Sequence, residues 1–357
     1  MRFKSDFERS IPDVSIDWLD TELPIIQAPL AGVQGSALAI ATSNAGALGS
    51  LPCAMLASDA MGDELAAIRR ATSRPYNVNF FCHAPPAWND EQDARWRKAL
   101  EPYYREFGVD PVSVTAGPVR SPFTHEAADA LETFAPPIVS FHFGLPTPDL
   151  LARVRRWGAR VLASATTVDE ARWLDERGVD AIIAQGLEAG GHRGHFLSSD
   201  LTLQMGTFAL LPQIVGAVRA PVIAAGGIAG ALGVKAALQL WAAAVQVGTA
   251  YLLCPEATTT AVHRAALVSD AVRHTALTNV FSGRPARGIV NRIVRELGPI
   301  SALAPEFPLA TAAVAPLRQA AEALGSGDFS PLWSGQKAAG CKAVPAADVT
   351  HELVSGL

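Results

Sequence analysis

The chain has 357 residues, of which 49% are hydrophobic and 18% are charged, so it can bury a large core and is neither disordered nor fibrous. Its formal net charge is −5 at pH 7, and its longest basic runs are pairs such as Arg69-Arg70. This charge pattern lacks the electrostatic footprint of a nucleic-acid-binding protein. We therefore expect no nucleic-acid partner, and one large domain or a domain with an inserted cap.

Cysteine spacing and the amino-terminal sequence favour a cytoplasmic protein. The four cysteines lie far apart without a metal-binding spacing, which favours reduced thiols and no metal site. The first residues, MRFKSDFERSIPD, are charged and lack the apolar core of a secretion signal. Residues 236–255 carry no charge, but polar residues interrupt them, so a helix leading into a buried strand explains them better than a membrane span.

Eight short apolar runs alternate with helical patterns along most of the chain. They lie at 24–29, 47–52, 76–81, 136–144, 160–167, 180–185, 220–227 and 243–253. Helical crossovers between short buried strands require a parallel sheet, and eight such units predict an α/β protein of the (β/α)₈ TIM-barrel type. The alternative is an open doubly wound sheet, but its usual GxGxxG turn is missing from the first unit.

Two segments interrupt this alternation and predict a second, mostly helical domain. Residues 83–135 follow the third run, and residues 258–325 follow the last run with Ala-rich helical sequence and no convincing strand. We expect these two segments to form a substrate-binding lid. Residues 1–82, 136–257 and 326–357 would then form the barrel.

The stretch DAIIAQGLEAGGHRGHF, at 180–196, is the strongest candidate for a functional site. A buried strand ends at Gln185, and Gly190 and Gly191 remove the side chains that would keep the backbone away from a flat ligand. His192 then supplies a group that titrates near neutral pH. The alternative is a simple turn in which the glycines relieve strain and His192 is a surface residue.

The ends of the other runs are also chemically unusual. In a (β/α)₈ barrel the active site lies at the carboxyl ends of the strands, and the loops after the last two strands commonly hold a phosphate. The sequences AAGGI and VGT, at 224–228 and 247–249, occupy those two positions. The amides of Asn79 and Gln185 can both donate and accept, which suits the pyrimidine edge of a flavin. The sequence therefore favours a phosphate-bearing cofactor.

Taken together, these motifs resemble those of the nitronate monooxygenases, formerly called 2-nitropropane dioxygenases. The resemblance covers about residues 24–340 and rests on PIIQAPLAGV, SNAGALGSLP, NVNFF, SFHFG, ASATTVDEARWLDERGVDAIIAQGLEAGGHRG, PVIAAGGI, AVQVGTAYLLCPEA, FSGRPARG and PLWSGQ in that order. It implies a (β/α)₈ barrel with non-covalent FMN and a helical substrate domain. It also implies that His192 lies over the flavin as the base or as a substrate-orienting group, with His142 close to the flavin ring as a second catalytic residue.

The resemblance further implies a set of FMN contacts from many parts of the chain. They are Pro29, Leu30, Asn79, Gln185, Gly190, Gly191, Gly226, Gly227, Gln246, Gly248, Thr249, Trp333, Gly335 and Gln336. The chain departs from the family pattern in three places. Leu30 replaces a common Met, which is an exchange of similar volume. The residues AGALG follow AAGGI in place of the usual acidic residue and Gly-Arg. Trp241 replaces a common Gly, which puts the packing of the last barrel strand in doubt.

The activity implied is the oxidation of alkyl nitronates, with propionate 3-nitronate as one candidate, by O₂ to a carbonyl compound and nitrite through one-electron flavin chemistry. An NAD(P)H-dependent flavin reductase of the enoyl or quinone reductase type is the alternative enzyme, and a flavin-binding barrel without turnover is the non-enzymatic one. The sequence leaves the assembly open, with a homodimer as one option.

Overall fold

A computed structural model describes residues 16–111 and 120–357. The charged amino-terminal sequence MRFKSDFERSIPD, which predicts that the chain has no secretion signal, lies outside these residues. Within the described ranges, no helix is both long and apolar enough to cross a bilayer.

The described residues form eleven strands. In chain order they are β1 Ile25–Gln27, β2 Gly49–Pro52, β3 Tyr76–Phe81, β4 Ile138–His142, β5 Arg160–Ala165, β6 Ala181–Gln185, β7 Gly191–His192, β8 Val222–Ala225, β9 Ala244–Val247, β10 Thr275–Thr278 and β11 Ala286–Ile289. Eight of them form one parallel sheet in the order β1-β9-β8-β6-β5-β4-β3-β2. The sheet closes because the N–H of Leu48 donates to Ile25 O and the N–H of Gln27 donates to Leu48 O, both at 2.9 Å. The predicted (β/α)₈ barrel is thus confirmed.

Helices follow the strands around the barrel and also occur in the two segments that are predicted to form the lid. They are α1 Ser36–Asn44, α2 Ser58–Ala71, α3 Asp90–Glu106, α4 His125–Glu132, α5 Pro148–Arg156, α6 Val168–Glu176, α7 Thr207–Val215, α8 Ala231–Gln239, α9 Ala261–Val268, α10 Arg292–Leu297, α11 Ala310–Ala323 and α12 Ala346–Leu353. The first turn of α6 is capped, since Thr167 Oγ1 accepts from the N–H of Glu170 and Glu170 Oε2 accepts from the N–H of Thr166. This capping box fixes where β5 passes into its helix.

Two apolar cores stabilise the barrel, and a third lies between the two segments that are predicted to form the lid. Inside the barrel, β-branched and leucine side chains such as Ile26, Leu48 and Ile183 pack together at 3% exposure or less. A larger core fills the space between the sheet and the surrounding helices. In the lid, α3 packs on α11 around Trp96 and Leu317, both fully buried. The two segments that interrupt the barrel therefore bury apolar side chains against each other.

The prediction that no strand lies between residues 258 and 325 is wrong. Strands β10 and β11 pair antiparallel there, and β11 also pairs with β7, so His192 lies opposite Ala286. Each of these two strands has four residues, and β10 is half polar, which leaves little periodicity to detect. The GGH segment is therefore joined to residues 258–325 through backbone hydrogen bonds.

The described residues also bear on the boundaries proposed for the lid. Helix α4, which lies within 83–135, contacts α2 and α5 of the barrel, and Leu131 belongs to the core around the sheet. Helix α3 from the same segment packs instead on α11. The division of the chain into barrel and lid stays a prediction.

Candidate active site

A cavity opens at the carboxyl ends of the barrel strands. Almost all of the predicted site residues line it, namely Pro29, Leu30, Asn79, His142, Gln185, Gly190, Gly191, His192, Gly226, Gly227, Gln246, Gly248, Thr249, Trp333 and Gly335. Gln336 is exposed and lies outside this lining, although its N–H donates to Glu188 O at 2.9 Å. Residues from 29 to 335 in the sequence are thus brought together at the end of the barrel where enzymes of this fold place their chemistry.

The loops after β8 and β9 present backbone N–H groups to the cavity. The N–H groups of Gly227, Ile228, Gly248 and Thr249 have no hydrogen-bond partner among the described residues. Gly226 and Gly227 adopt φ of +115° and +71°, and a Cβ on Gly226 would lie 2.9 Å from Thr207 Oγ1. Such a row of free N–H groups attracts an oxyanion, and glycine is needed to form it.

The segment around PLWSGQ packs over the glycines of the β6 loop. A Cβ on Gly190 would lie 2.5 Å from the backbone N of Gly335, so only glycine allows this approach. The same N–H of Gly335 donates to Thr249 Oγ1 at 3.0 Å. The carbonyl of Trp333 accepts from His263 Nε2 at 3.1 Å. The carboxyl-terminal part of the chain therefore connects the loop before His192 with the loop after β9.

The three predicted amide side chains that line the cavity differ in how much of their hydrogen-bonding capacity is free. Gln246 Oε1 is buried without a partner among the described residues. Asn79 Nδ2 donates to Ser140 O at 3.2 Å and to Ser140 Oγ at 2.9 Å, which uses both of its hydrogens and leaves Oδ1 to accept. Gln185 instead donates to His192 O at 3.1 Å and accepts from the N–H of Gly194 at 2.8 Å. The first two amides are thus available to a ligand, whereas Gln185 mainly holds the loop.

Three buried polar side chains fix the loop that carries His192. Besides Gln185, the fully buried Arg193 donates to the carbonyls of Gln185 and Gly186 at 2.8 and 2.7 Å. Glu170, at the start of α6, accepts from the N–H of Phe196 at 2.6 Å. Because each of these contacts is charge-assisted or satisfies a buried backbone group, the loop is pre-organised.

His192 is a neutral histidine in an aromatic chamber. Its Nε2 lies 2.8 Å from Ser282 Oγ, and its ring lies 5.2 Å from the ring of Phe307 and 5.4 Å from that of Trp333. Burial, and next the positive charge of Arg120, hold the pKa of His192 well below its ordinary value of 6.5. At pH 7 the ring is therefore unprotonated.

His142 supports the backbone of His192. Its Nδ1 lies 3.0 Å from Ser164 Oγ and its Nε2 lies 3.1 Å from His192 O. Burial lowers the pKa of His142 to about 3, so it is neutral as well. Since both ring nitrogens already have partners, the geometry favours a positioning role for His142 over proton transfer with a substrate.

Sequence reasoning missed several residues of this chamber. Arg120 lines the cavity, and Phe81, Phe143 and Phe307 form an aromatic cluster against His192. Ser282 lies in the FSGRPARG motif, whose sequence alone does not indicate a role for it. Only its contact with His192, 90 residues away in the chain, indicates what it does.

A closed parallel barrel with free backbone N–H groups and a neutral histidine at the carboxyl ends of its strands is typical of a barrel enzyme. The nitronate monooxygenase family model matches residues 13–356. A nitronate monooxygenase of Pseudomonas aeruginosa is 40% identical over 95% of this chain and 97% of its own length. One of Paraburkholderia phytofirmans is 41% identical over 94% and 92%.

A solved structure agrees with these two relatives. The crystal structure of nitroalkane oxidase from Streptomyces ansochromogenes superposes with a TM-score of 0.87 at 36% identity, covering 94% of this chain and 95% of that one. The chain belongs to the nitronate monooxygenase family. It is therefore an oxidoreductase of a family that is generally flavin-dependent.

Proposed function

We propose that this chain binds FMN and oxidises alkyl nitronates with O₂ to a carbonyl compound and nitrite. The observation that carries the proposal is the pairing of two features in one cavity, a row of free backbone N–H groups and a neutral histidine. The first suits a phosphate and the second suits an acidic carbon-bound proton.

The residues present fit FMN. The free N–H groups of Gly227, Ile228, Gly248 and Thr249 would hold its phosphate. Gln246 Oε1, buried without a partner among the described residues, and the acceptor oxygen of Asn79 would meet polar groups of the flavin ring. Leaving such atoms unpaired costs free energy, so a ligand that pairs them is favoured. A Cβ on Gly191 would meet nothing within 4 Å, so this glycine leaves the backbone open to a flat ring, beside Pro29, Leu30 and Trp333.

Bound FMN would supply the redox step, taking an electron from the electron-rich nitronate and passing one on to O₂. The protein would orient the substrate and handle its proton. A neutral nitroalkane must first lose its α-proton, and His192 is the base that the geometry offers. An already ionised nitronate does not need this step. Phe81, Phe143 and Phe307 would keep water away from the reacting centre.

The cofactor is tested first, on the purified protein. It should be yellow and should release FMN, and not FAD, when it is denatured. Colourless protein that takes up no added FMN would remove the basis of the proposal.

The reaction is tested by anaerobic mixing of the flavin-loaded protein with a nitronate and, separately, with NADH. We expect the nitronate to change the flavin absorbance within one turnover time and NADH to leave it nearly unchanged. Admitting O₂ should then release nitrite. Fast reduction by NADH without a response to nitronate would indicate the alternative, an NAD(P)H-dependent flavin reductase.

A further inference from the structure

The ionised side chains that line the cavity all carry positive charge among the described residues. Among the described residues that line it, Arg120 and Lys337 are cationic and none is Asp or Glu. The histidines of the lining add little charge, because burial lowers the pKa of His142 to about 3 and of His263 to about 4. Lys337 is exposed, whereas Arg120 is half-buried. The cavity is therefore built to receive negative charge, and Arg120 is its most enclosed cation.

Arg120 has no acidic partner among the described residues. Its Nη1 donates to Thr311 Oγ1 over a long 3.4 Å, and its guanidinium carbon lies 5.6 Å from the centre of the Phe307 ring. The charged neighbour that affects it is another cation, Arg318. Arg292 of the lid, by contrast, contacts Glu106 at 2.6 Å. A partly desolvated guanidinium without a carboxylate retains most of its hydrogen-bonding capacity for a ligand.

The position of Arg120 relates it to the reacting end of the cavity. Arg120 and His192 both pack against Phe307, and the positive charge of Arg120 is the largest charge effect on the pKa of His192. His192 also contacts Phe81 at the end of β3 and Phe143 just after β4. In the closed sheet, β3 and β4 lie opposite β8 and β9. Arg120 therefore lies with the base, across the barrel from the proposed phosphate cradle.

We infer that Arg120 binds a planar oxyanion of the substrate and so makes the enzyme prefer anionic over neutral substrates. This oxyanion is the nitronate group itself or a carboxylate on the same molecule, since both present two coplanar oxygens to the guanidinium fork. The inference rests on the proposed function for the identity of the substrate. It assigns Arg120 to substrate binding, with His192 left to move the proton.

The kinetic test compares Arg120→Gln and Arg120→Lys with the wild-type holoenzyme. Each protein is assayed with one nitroalkane supplied in neutral form and as its pre-ionised nitronate. Loss of a charge-assisted contact should raise KM for the nitronate by about 10- to 100-fold in Arg120→Gln, with a smaller change in kcat. The neutral form should be affected little, and Arg120→Lys should recover part of the loss. With a substrate that carries no carboxylate, equal losses on both forms would overturn the inference, and so would the absence of any loss on nitronates with and without a carboxylate.

A matched control and two substrates sharpen this test. Arg318→Gln removes a nearby guanidinium that lies outside the cavity lining and pairs with Glu322, so KM should stay near the wild-type value. Nitronates with and without a terminal carboxylate distinguish the two oxyanions. A similar loss on both indicates that Arg120 binds the nitronate group, and a loss confined to the carboxylated one indicates that it binds the carboxylate.

A binding measurement keeps this inference separable from the proposed function. Nitrate is a planar oxyanion that does not react, and its binding to the holoenzyme can be followed by calorimetry. We expect Kd for nitrate to rise about 10-fold or more in Arg120→Gln and to stay unchanged in Arg318→Gln. If nitronate turnover fails while this pattern holds, the proposed reaction is wrong and the oxyanion site stands. Nitrate binding that does not depend on Arg120 would overturn the site.

Discussion

The two sides of the cavity are built in different ways. Beside β8 and β9, the chain offers backbone N–H groups from two short glycine-containing loops that directly follow their strands. Beside β3 and β4, it offers side chains from separate segments, with His192, Ser282, Phe307 and Arg120 gathered at one point. In the proposed function, the first side would hold the phosphate of the cofactor and the second would determine which molecule reacts. We expect mutations on the first side to change cofactor content and mutations on the second to change rates.

The largest effect is expected for Gly227→Asp. A carboxylate at this position would meet the cofactor phosphate at close range in place of an N–H cradle. FMN content should fall from about one per chain to nearly none while the barrel still folds, as measured by flavin absorbance and circular dichroism. Normal flavin content in this variant would mean that the phosphate lies elsewhere.

Gly227→Ala is the control for shape. Its Cβ, like that of Asp, would sit 3.2 Å from Glu188 Cβ at a φ of +71°, so both variants carry the same backbone strain. Without the added charge, the Ala variant should keep a clearly larger share of FMN. Equal loss in both variants would attribute the effect to strain.

The difference between the two sides also explains what the sequence could predict. Asn79 lies near the end of one apolar run, and the glycine pairs lie at or shortly after the ends of two others, so strand counting placed them correctly at one end of the barrel. Arg120 and Phe307 lie in the two interrupting segments, whose sequences show no period that relates them to His192. Their meeting depends on how α3, α11 and the β10–β11 hairpin fold over the barrel, and the hairpin itself was not predicted.

Among substitutions on the side of the cavity beside β3 and β4, His192→Asn should produce the largest change in turnover rate. A general base contributes about 10²- to 10⁴-fold, and only to a step in which a proton moves. Turnover of a neutral nitroalkane should fall by that range, while the same compound supplied as its nitronate should be affected much less. Steady-state assays on both forms measure this difference. A similar loss on both would mean that His192 orients the substrate and is not the base.

His195→Asn is the matched control for that experiment. His195 lies three residues further on and is also buried and neutral, with a pKa lowered to about 3 by burial. It does not line the cavity that His192 lines. The variant should therefore retain most of the activity on both forms of the substrate.

Buried neutral histidines on this side should make the protein sensitive to acid. Above pH 6.5, His142 and His195 are neutral in both the folded and the unfolded chain and add no pH dependence. Below pH 6.5 the unfolded chain takes up protons that the folded chain excludes down to a pKa of about 3. Each of these two histidines should therefore lower the free energy of unfolding by up to about 1.4 kcal/mol for every unit by which the pH falls.

Urea denaturation of the holoenzyme at pH 7 and pH 5 measures this loss. In His195→Asn the difference between the two pH values should shrink by about 2 kcal/mol, because one excluded proton is removed. An unchanged difference would show that His195 already takes up its proton in the folded protein. The effect should appear in stability and not in flavin content at pH 7.

The smallest effect is expected far from the cavity, at Trp241 in the corner between α8 and β9. This residue precedes the amino-terminal end of β9 and adopts a φ of +67°, a conformation that costs a non-glycine residue about 1–2 kcal/mol. Its indole is partly buried, so Trp241→Gly removes contacts as well as strain, and its net effect on stability should be small.

Comparison with Trp241→Ala separates the effect of the lost contacts from the effect of the relieved strain, since both variants lose the indole but only Ala keeps the strained Cβ. The Gly variant should be about 1 kcal/mol more stable than the Ala variant in urea denaturation, with equal FMN content in both. An Ala variant at least as stable as the Gly variant would show that the corner is unstrained, whereas unequal FMN content would show that this end of β9 influences the phosphate cradle at its other end.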